Sequence, residues 1–168
     1  MNINKFTQKS MEAVQNCEKL AYEYGNQQID ELHLLYSLLT LEDSLILKLV
    51  TKMGIQGDMM AGEVKQALEK LPKVSGGQLY ISSDLNKVLL DGEDEAKAMG
   101  DEYVSVEHLF LALINYPSKE VKNLFRMYNI TREGFLQALS TVRGNQRVVS
   151  DNPEATYDTL EKYGYDLV

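Results

Sequence analysis

Apolar residues recur at three- and four-residue steps along most of the chain, and prolines stand only at 72, 117 and 153. That spacing predicts an all-α fold. The first helix is expected from about Thr7 to Tyr24, with Phe6, Ser10, Ala13, Val14, Cys17, Leu20, Ala21 and Tyr24 on one side and Gly25 as C-cap. A second begins after Asp30, whose carboxylate can accept an unpaired backbone N–H of the first turn, and ends near Leu41. Ile29 and Leu34 flank that start in the spacing of a hydrophobic staple. Residues 43–53 read as a third helix before Gly54, and residues 58–70 as a fourth that stops at Pro72. Pro72 to Ser83, with Gly76 and Gly77 in the middle, reads as a flexible connection.

The pattern then starts again. A gapless shift of 75 residues aligns Gly25 with Gly100, His33 with His108, Leu34 with Leu109, Leu38 with Leu113, Leu49 with Leu124 and Ile55 with Ile130. Similar pairs extend the match: Phe6 with Ile81, Thr7 with Ser82, Val14 with Leu89, Ile29 with Val104, and Asp30 with Ser105. Because a C-cap glycine, an N-cap, its staple and the apolar stripe all coincide, the repeat is one of structure and not of composition. Two four-helix halves, about 1–71 and about 80–143, are expected to pack about a pseudo-two-fold axis as one domain, 1–143. Residues 144–168 open with a polar stretch and carry a net charge of −3, which reads as a linker. Asn152 and Pro153 would cap a short helix closed by Gly164, and the apolar end at Leu167 and Val168 reads as a cut just inside a following domain.

Composition narrows the function. The 168 residues are 44% hydrophobic and 25% charged, values of an ordinary globular domain. Seventeen Lys plus Arg against 25 Asp plus Glu give a net charge of −8, which repels phosphate backbones and anionic lipid. No nucleic-acid or membrane partner is expected. The N-terminus lacks the basic-then-apolar layout of a secretory signal, and the reading is of a soluble cytoplasmic protein. A phosphate-binding G-x-x-x-x-G-K-[ST] is absent, so the chain alone is not expected to hold a nucleotide, a metal or any other cofactor, or to be an enzyme.

Several residues invite a chemical reading. His33 and His108, the only histidines, fall at the third position of the same helix in each half, and are read as semi-buried structural residues. A small helical hydrolase using one of them is the weakest alternative. Cys17 lies on the apolar side of the first helix as an inert core thiol. The run Asp91, Glu93, Asp94 and Glu95 reads as a solvated helix face, since it lacks the glycine and ligand alternation of a calcium loop. These residues favour a helical interaction module.

The double repeat, with Asp30-Glu31-Leu32-His33-Leu34-Leu35 in one half and Ser105-Val106-Glu107-His108-Leu109-Phe110-Leu111-Ala112-Leu113 in the other, resembles the amino-terminal domain of the Clp/Hsp100 family of ATP-driven unfoldases. Val142-Arg143-Gly144, followed by Asn152 to Leu167, is similar to the linker and first residues before the first ATPase domain in the disaggregase branch of that family. The resemblance implies a mobile module that captures unfolded or aggregated polypeptide through a hydrophobic groove, for threading by a homohexameric ring that collaborates with the Hsp70 system. ATP and magnesium would be bound in domains outside this chain, and the fragment itself would be a monomer. The alternative is an adaptor-binding or regulatory module.

Family positions implicated in chaperone action or substrate contact map onto Thr7, Leu89, Asp101, Glu107 and His108. Leu89 is placed at the groove's floor, with Glu107 and His108 at its edge; its counterpart Val14 reads as core, so both an exposed and a buried Leu89 stay open. His108 stands where disaggregases often carry an apolar residue, which would make that edge wetter. Thr7 is a plausible N-cap, Glu107 sits at N2 where a negative charge favours the helix dipole, and Asp101 is expected to order the turn after Gly100.

Overall fold

A computed structural model describes residues 3–144 and 146–153. The expected helix closing at Gly164 lies outside them. Among the described residues are eight α-helices: α1 Gln8–Glu23, α2 Glu31–Thr40, α3 Leu45–Lys52, α4 Gly57–Glu69, α5 Ser83–Ala98, α6 Val106–Asn115, α7 Lys119–Met127 and α8 Arg132–Arg143. The first four and the last four form two similar repeats, and α1 and α2 map onto α5 and α6 at a shift of 75 residues. α1 and α5, the two longest helices, each start at a residue whose side chain caps them. Thr7 Oγ1 accepts the Ser10 N–H at 3.2 Å, and its counterpart Ser82 accepts the Leu85 N–H at 3.0 Å. Gly25 and Gly100 end α1 and α5 with φ of 71° and 72°, a region that only glycine enters without strain.

The helices are joined by a device that the helical periodicity does not show. Two short strands, β1 Gln28–Ile29 and β2 Tyr80–Ile81, pair in parallel with Ile29 opposite Ile81. Their counterparts pair too, as an isolated parallel bridge between Phe6 and Val104. The segment leading into α1 therefore pairs with the loop before α6, and the segment leading into α5 pairs with the loop before α2. Such reciprocal exchange is what a two-fold relation generates. The Thr7 N–H donates to the Val104 carbonyl and the Ser82 N–H to the Ile29 carbonyl, both at 3.0 Å, so cap and exchange are built from the same residues.

α2 and α6 are the inner helices. Their Leu34, Leu35, Leu38, Leu109, Phe110, Leu111 and Leu113 are fully buried. Phe110 stacks with Phe125 and Phe135 at centroid distances of 5.5 and 4.6 Å, a tilted arrangement that favours ring edges over faces. Glu31, at the start of α2, reaches across to the other repeat and accepts the backbone N–H of Ser118, the N-cap of α7, at 2.9 Å. Its burial pushes the carboxyl up to about 8, against the opposing pull of that hydrogen bond.

The start of the stretch that reads as a linker lies against the helices. Val148 is fully buried, and its carbonyl accepts the Glu102 N–H at 2.9 Å. The Asp151 carbonyl accepts the Gln8 N–H, the first of α1, at 2.8 Å. Residues 71–74 make the equivalent return in the first repeat, where Asn26 donates to the Pro72 carbonyl at 3.0 Å and the Val74 N–H donates to the Gly25 carbonyl at 2.9 Å. The stretch reading as flexible from Pro72 is thus tied down at its start, and again at β2.

Candidate functional site

Both histidines brace the start of an inner helix. In each repeat Nδ1 accepts the N-cap backbone N–H at 2.8 Å, from Asp30 to His33 and from Ser105 to His108. This is the reach-back that Glu makes in a capping box. With Nδ1 accepting, Nε2 carries the proton and donates to the residue after the C-cap glycine: His33 to Asn26 Oδ1 at 2.9 Å, His108 to Asp101 Oδ2 at 2.6 Å. Burial pushes His33 down to about 4, which keeps it neutral. Neither imidazole is semi-buried as expected, because both are fully inaccessible with both nitrogens engaged. No substrate can reach them, and acid–base chemistry on a bound molecule has no route.

The second repeat replaces the neutral Asn26 with Asp101 and gathers charge around it. The Arg143 guanidinium pairs with Asp101, lies 3.5 Å from Glu107 Oε2, and donates from Nε to the Gln146 carbonyl at 2.7 Å. Burial alone would raise the Asp101 carboxyl, but hydrogen bonds from His108, Arg143 and the Val148 N–H hold it below the usual carboxylate range. Glu107 and His108 are fully buried in this cluster, so they are not the wet edge of a groove. Asp101, next to Gly100, has His108, Arg143 and the Val148 N–H as its side-chain partners, and Thr7 is a buried cap.

The nearest match to a groove lies between α1 and α5. Val14, Ile29, Leu85 and Leu89 line an apolar depression of about 70 Å³, with Ile81 and Glu18 at its mouth. Leu89 is only 1% exposed, so it does not face the surface; it lines the depression from within the core. Phe6 holds the position equivalent to Ile81 in the other repeat, and Phe6 is 4% exposed where Ile81 is 41% exposed. The smaller Ile81 therefore stands partly open to solvent at the depression. A second hollow of about 160 Å³ has Leu71, Pro72, Val74 and Tyr80 on one part of its wall and Asn26, Gln27, Gln28 and Asp30 on the other. Val74 and Tyr80 are about half exposed, which extends the apolar surface past β2.

Other candidates resolve differently. Glu95 is buried and takes both guanidinium nitrogens of Arg132 at 2.5 and 3.0 Å, so the acidic run is not wholly a solvated face. Burial pushes the Cys17 thiol up to about 12, in keeping with an inert thiol. Among the described residues no group of three or more His, Cys, Asp or Glu could hold a metal. Among the same residues no helix is long and apolar enough to cross a membrane. Arg143 and Val148 were not singled out by sequence. The available signal was the 75-residue pairing of Asn26 with Asp101, which substitutes a charge in an otherwise neutral arrangement.

Two exchanged four-helix repeats, each braced by a buried histidine, with an apolar depression between α1 and α5, define a double helical repeat module. The Clp repeat (R) N-terminal domain family matches residues 5–128, and the chain belongs to that family as a Clp/Hsp100 N-terminal chaperone module. It is 40% identical over its full length to the chaperone protein ClpB of Bacillus anthracis, covering 20% of that protein. The chain thus spans about a fifth of the curated relatives it matches. The fold is shared with the Hsp104 N-terminal domain of Candida albicans, at a TM-score of 0.79 and 22% identity, over 88% of this chain and 97% of that one. It is also shared with a ClpV N-domain in complex with a VipB peptide, at a TM-score of 0.65 and 22% identity, over 82% and 86% of the two chains.

Proposed function

We propose that this chain is the client-engaging amino-terminal module of a cytoplasmic ATP-dependent disaggregase. It takes a bulky apolar side chain of unfolded or aggregated polypeptide into the depression between α1 and α5. The bound segment is then passed to a hexameric ATPase ring, with its ATP and magnesium, in domains outside this chain, working with the Hsp70 system. The observation that carries this reading is the apolar depression with Ile81 partly exposed beside it, where the equivalent Phe6 is buried. The identity to ClpB and the peptide held by a ClpV N-domain of the same fold support it. Leu89 contributes as the inner wall, while Thr7, Asp101, Glu107 and His108 act on the site through the fold that positions α1 and α5.

The test is to close the depression. Ile81→Phe places beside the depression the residue that the other repeat carries at the equivalent position, so the domain is expected to melt no lower than the parent. Burying one large apolar side chain is worth roughly 1.5 to 3 kcal/mol, so affinity for a permanently unfolded client should fall about 10- to 100-fold. Leu89→Ser is the contrasting variant, expected to lower the melting temperature because it opens the core. A folded Ile81→Phe domain with unchanged client affinity rejects the depression as the client site. Loss of a folded partner's binding with client affinity intact would assign it to an adaptor instead.

A further inference from the structure

We propose that the cluster of Arg143, Asp101 and Glu107 is a latch that fastens residues 146–151 across the second repeat, and that its opening sets how far this module reaches from whatever follows it. The first repeat makes its return at 71–74 with the neutral Asn26 and then continues into β2, so it has nothing to release. The second repeat makes the same return with charges. Arg143 is the hub: it holds the strap's first carbonyl, at Gln146, while it pairs with the carboxylate of Asp101. That carboxylate in turn accepts the Val148 N–H at 2.9 Å, and Val148 plugs the surface with its side chain fully buried.

The strap's far end is fixed to the other repeat. The Asp151 carbonyl takes the Gln8 N–H, and its side chain accepts from Gln8 Nε2 at 3.2 Å. Asp151 thereby places an anion at the N-terminus of α1, where the helix dipole favours it. Between these anchors Arg147, Val149 and Ser150 are exposed, so the strap is held at few points and can leave without opening the core. Released, the eight residues 146–153 can extend over about 26 Å, at roughly 3.3 Å per residue. Latched, that length is taken up against the domain. The latch stands apart from the depression between α1 and α5 and does not depend on which client that depression takes.

Three backbone amides report the latch directly: Val148, bonded to Asp101; Glu102, bonded to Val148; and Gln8, bonded to Asp151. Hydrogen exchange on the 168-residue chain is expected to show all three protected in the parent. In Arg143→Met they should speed up together by at least tenfold, while amides of α6 from Leu109 to Leu113 keep their rates. Tryptic cleavage after Arg147 should accelerate by a similar factor. Because Arg143→Met removes the cation that two buried carboxylates share, Val148→Ser provides a second variant that removes the plug and leaves every charge in place. It is expected to give the same pattern in a folded domain. Parent amides exchanging at the rates of a free peptide would overturn the proposal. So would protection at all three positions persisting in either folded variant, or loss confined to one of them.

Discussion

Glu31 and Val106 occupy the same first position of α2 and α6, and both are buried, yet one is ionisable and the other is not. Glu31 earns its place by capping α7 from the opposite repeat, and its raised pKa fixes the sign of a pH effect. A carboxyl near 8 in the folded chain and near 4.5 when unfolded favours the folded state most below 4.5, and that contribution is lost as pH rises towards and through 8. Glu31→Gln keeps an acceptor for the Ser118 N–H and removes the charge. The variant should match the parent at pH 4.5 and exceed it at pH 8.5 by at least 1 kcal/mol, about 2 to 4 °C in Tm. Thermal unfolding at the two pH values checks this, and a variant less stable at pH 8.5 would contradict it. The histidine braces were partly legible at this scale, since His33 and His108 align; what the alignment could not show is that each ring is closed off at both nitrogens.

At the scale of elements, the helix starts and stops follow from local chemistry and lie within two or three residues of where periodicity and caps place them. Thr7 shows how a local signal acquires a tertiary role. Its hydroxyl caps α1, and its N–H makes one of the bonds that exchange the two repeats. Thr7→Ala removes only the first, so unfolding in urea should show a loss of about 1 kcal/mol, within the usual range of 0.5 to 2 for a lost cap. Ser82→Ala at the start of α5 should cost a similar amount. A loss well above this range at Thr7 alone would mean that the side chain also supports the Phe6 to Val104 bridge. The strands themselves are not legible, because two residues carry no period and their partners lie far along the chain.

For the whole molecule, the exchanged pairings make each repeat depend on the other. Ile29 of the first repeat is covered from β2, and Val104 of the second is covered by the segment at Phe6. A fragment of residues 1–75 would lose the cover of Ile29 and the partner of Phe6, and would expose the leucines of α2 that pack against the second repeat. It is expected to lack a cooperative thermal transition by far-ultraviolet circular dichroism, while the intact chain unfolds in one step. A cooperative melt of the fragment would show the repeats to be independent domains.

The sequence alone determined the helices, their caps and the doubling of the pattern, because hydrogen-bonding within a helix is local and the apolar stripe repeats with the helical period. The family resemblance carried by its motifs nominated Thr7, Leu89, Asp101, Glu107 and His108, without their surroundings. Only the tertiary structure decided that these five lie inside, because burial depends on which faces of α1, α5 and α6 meet. It also decided that Ile81, and not Leu89, stands at the mouth of the apolar depression. A leucine on an amphipathic helix carries no mark of whether its stripe is covered. Phe6 and Ile81 stand in equivalent places, and only the packing decided that the first is buried and the second partly exposed.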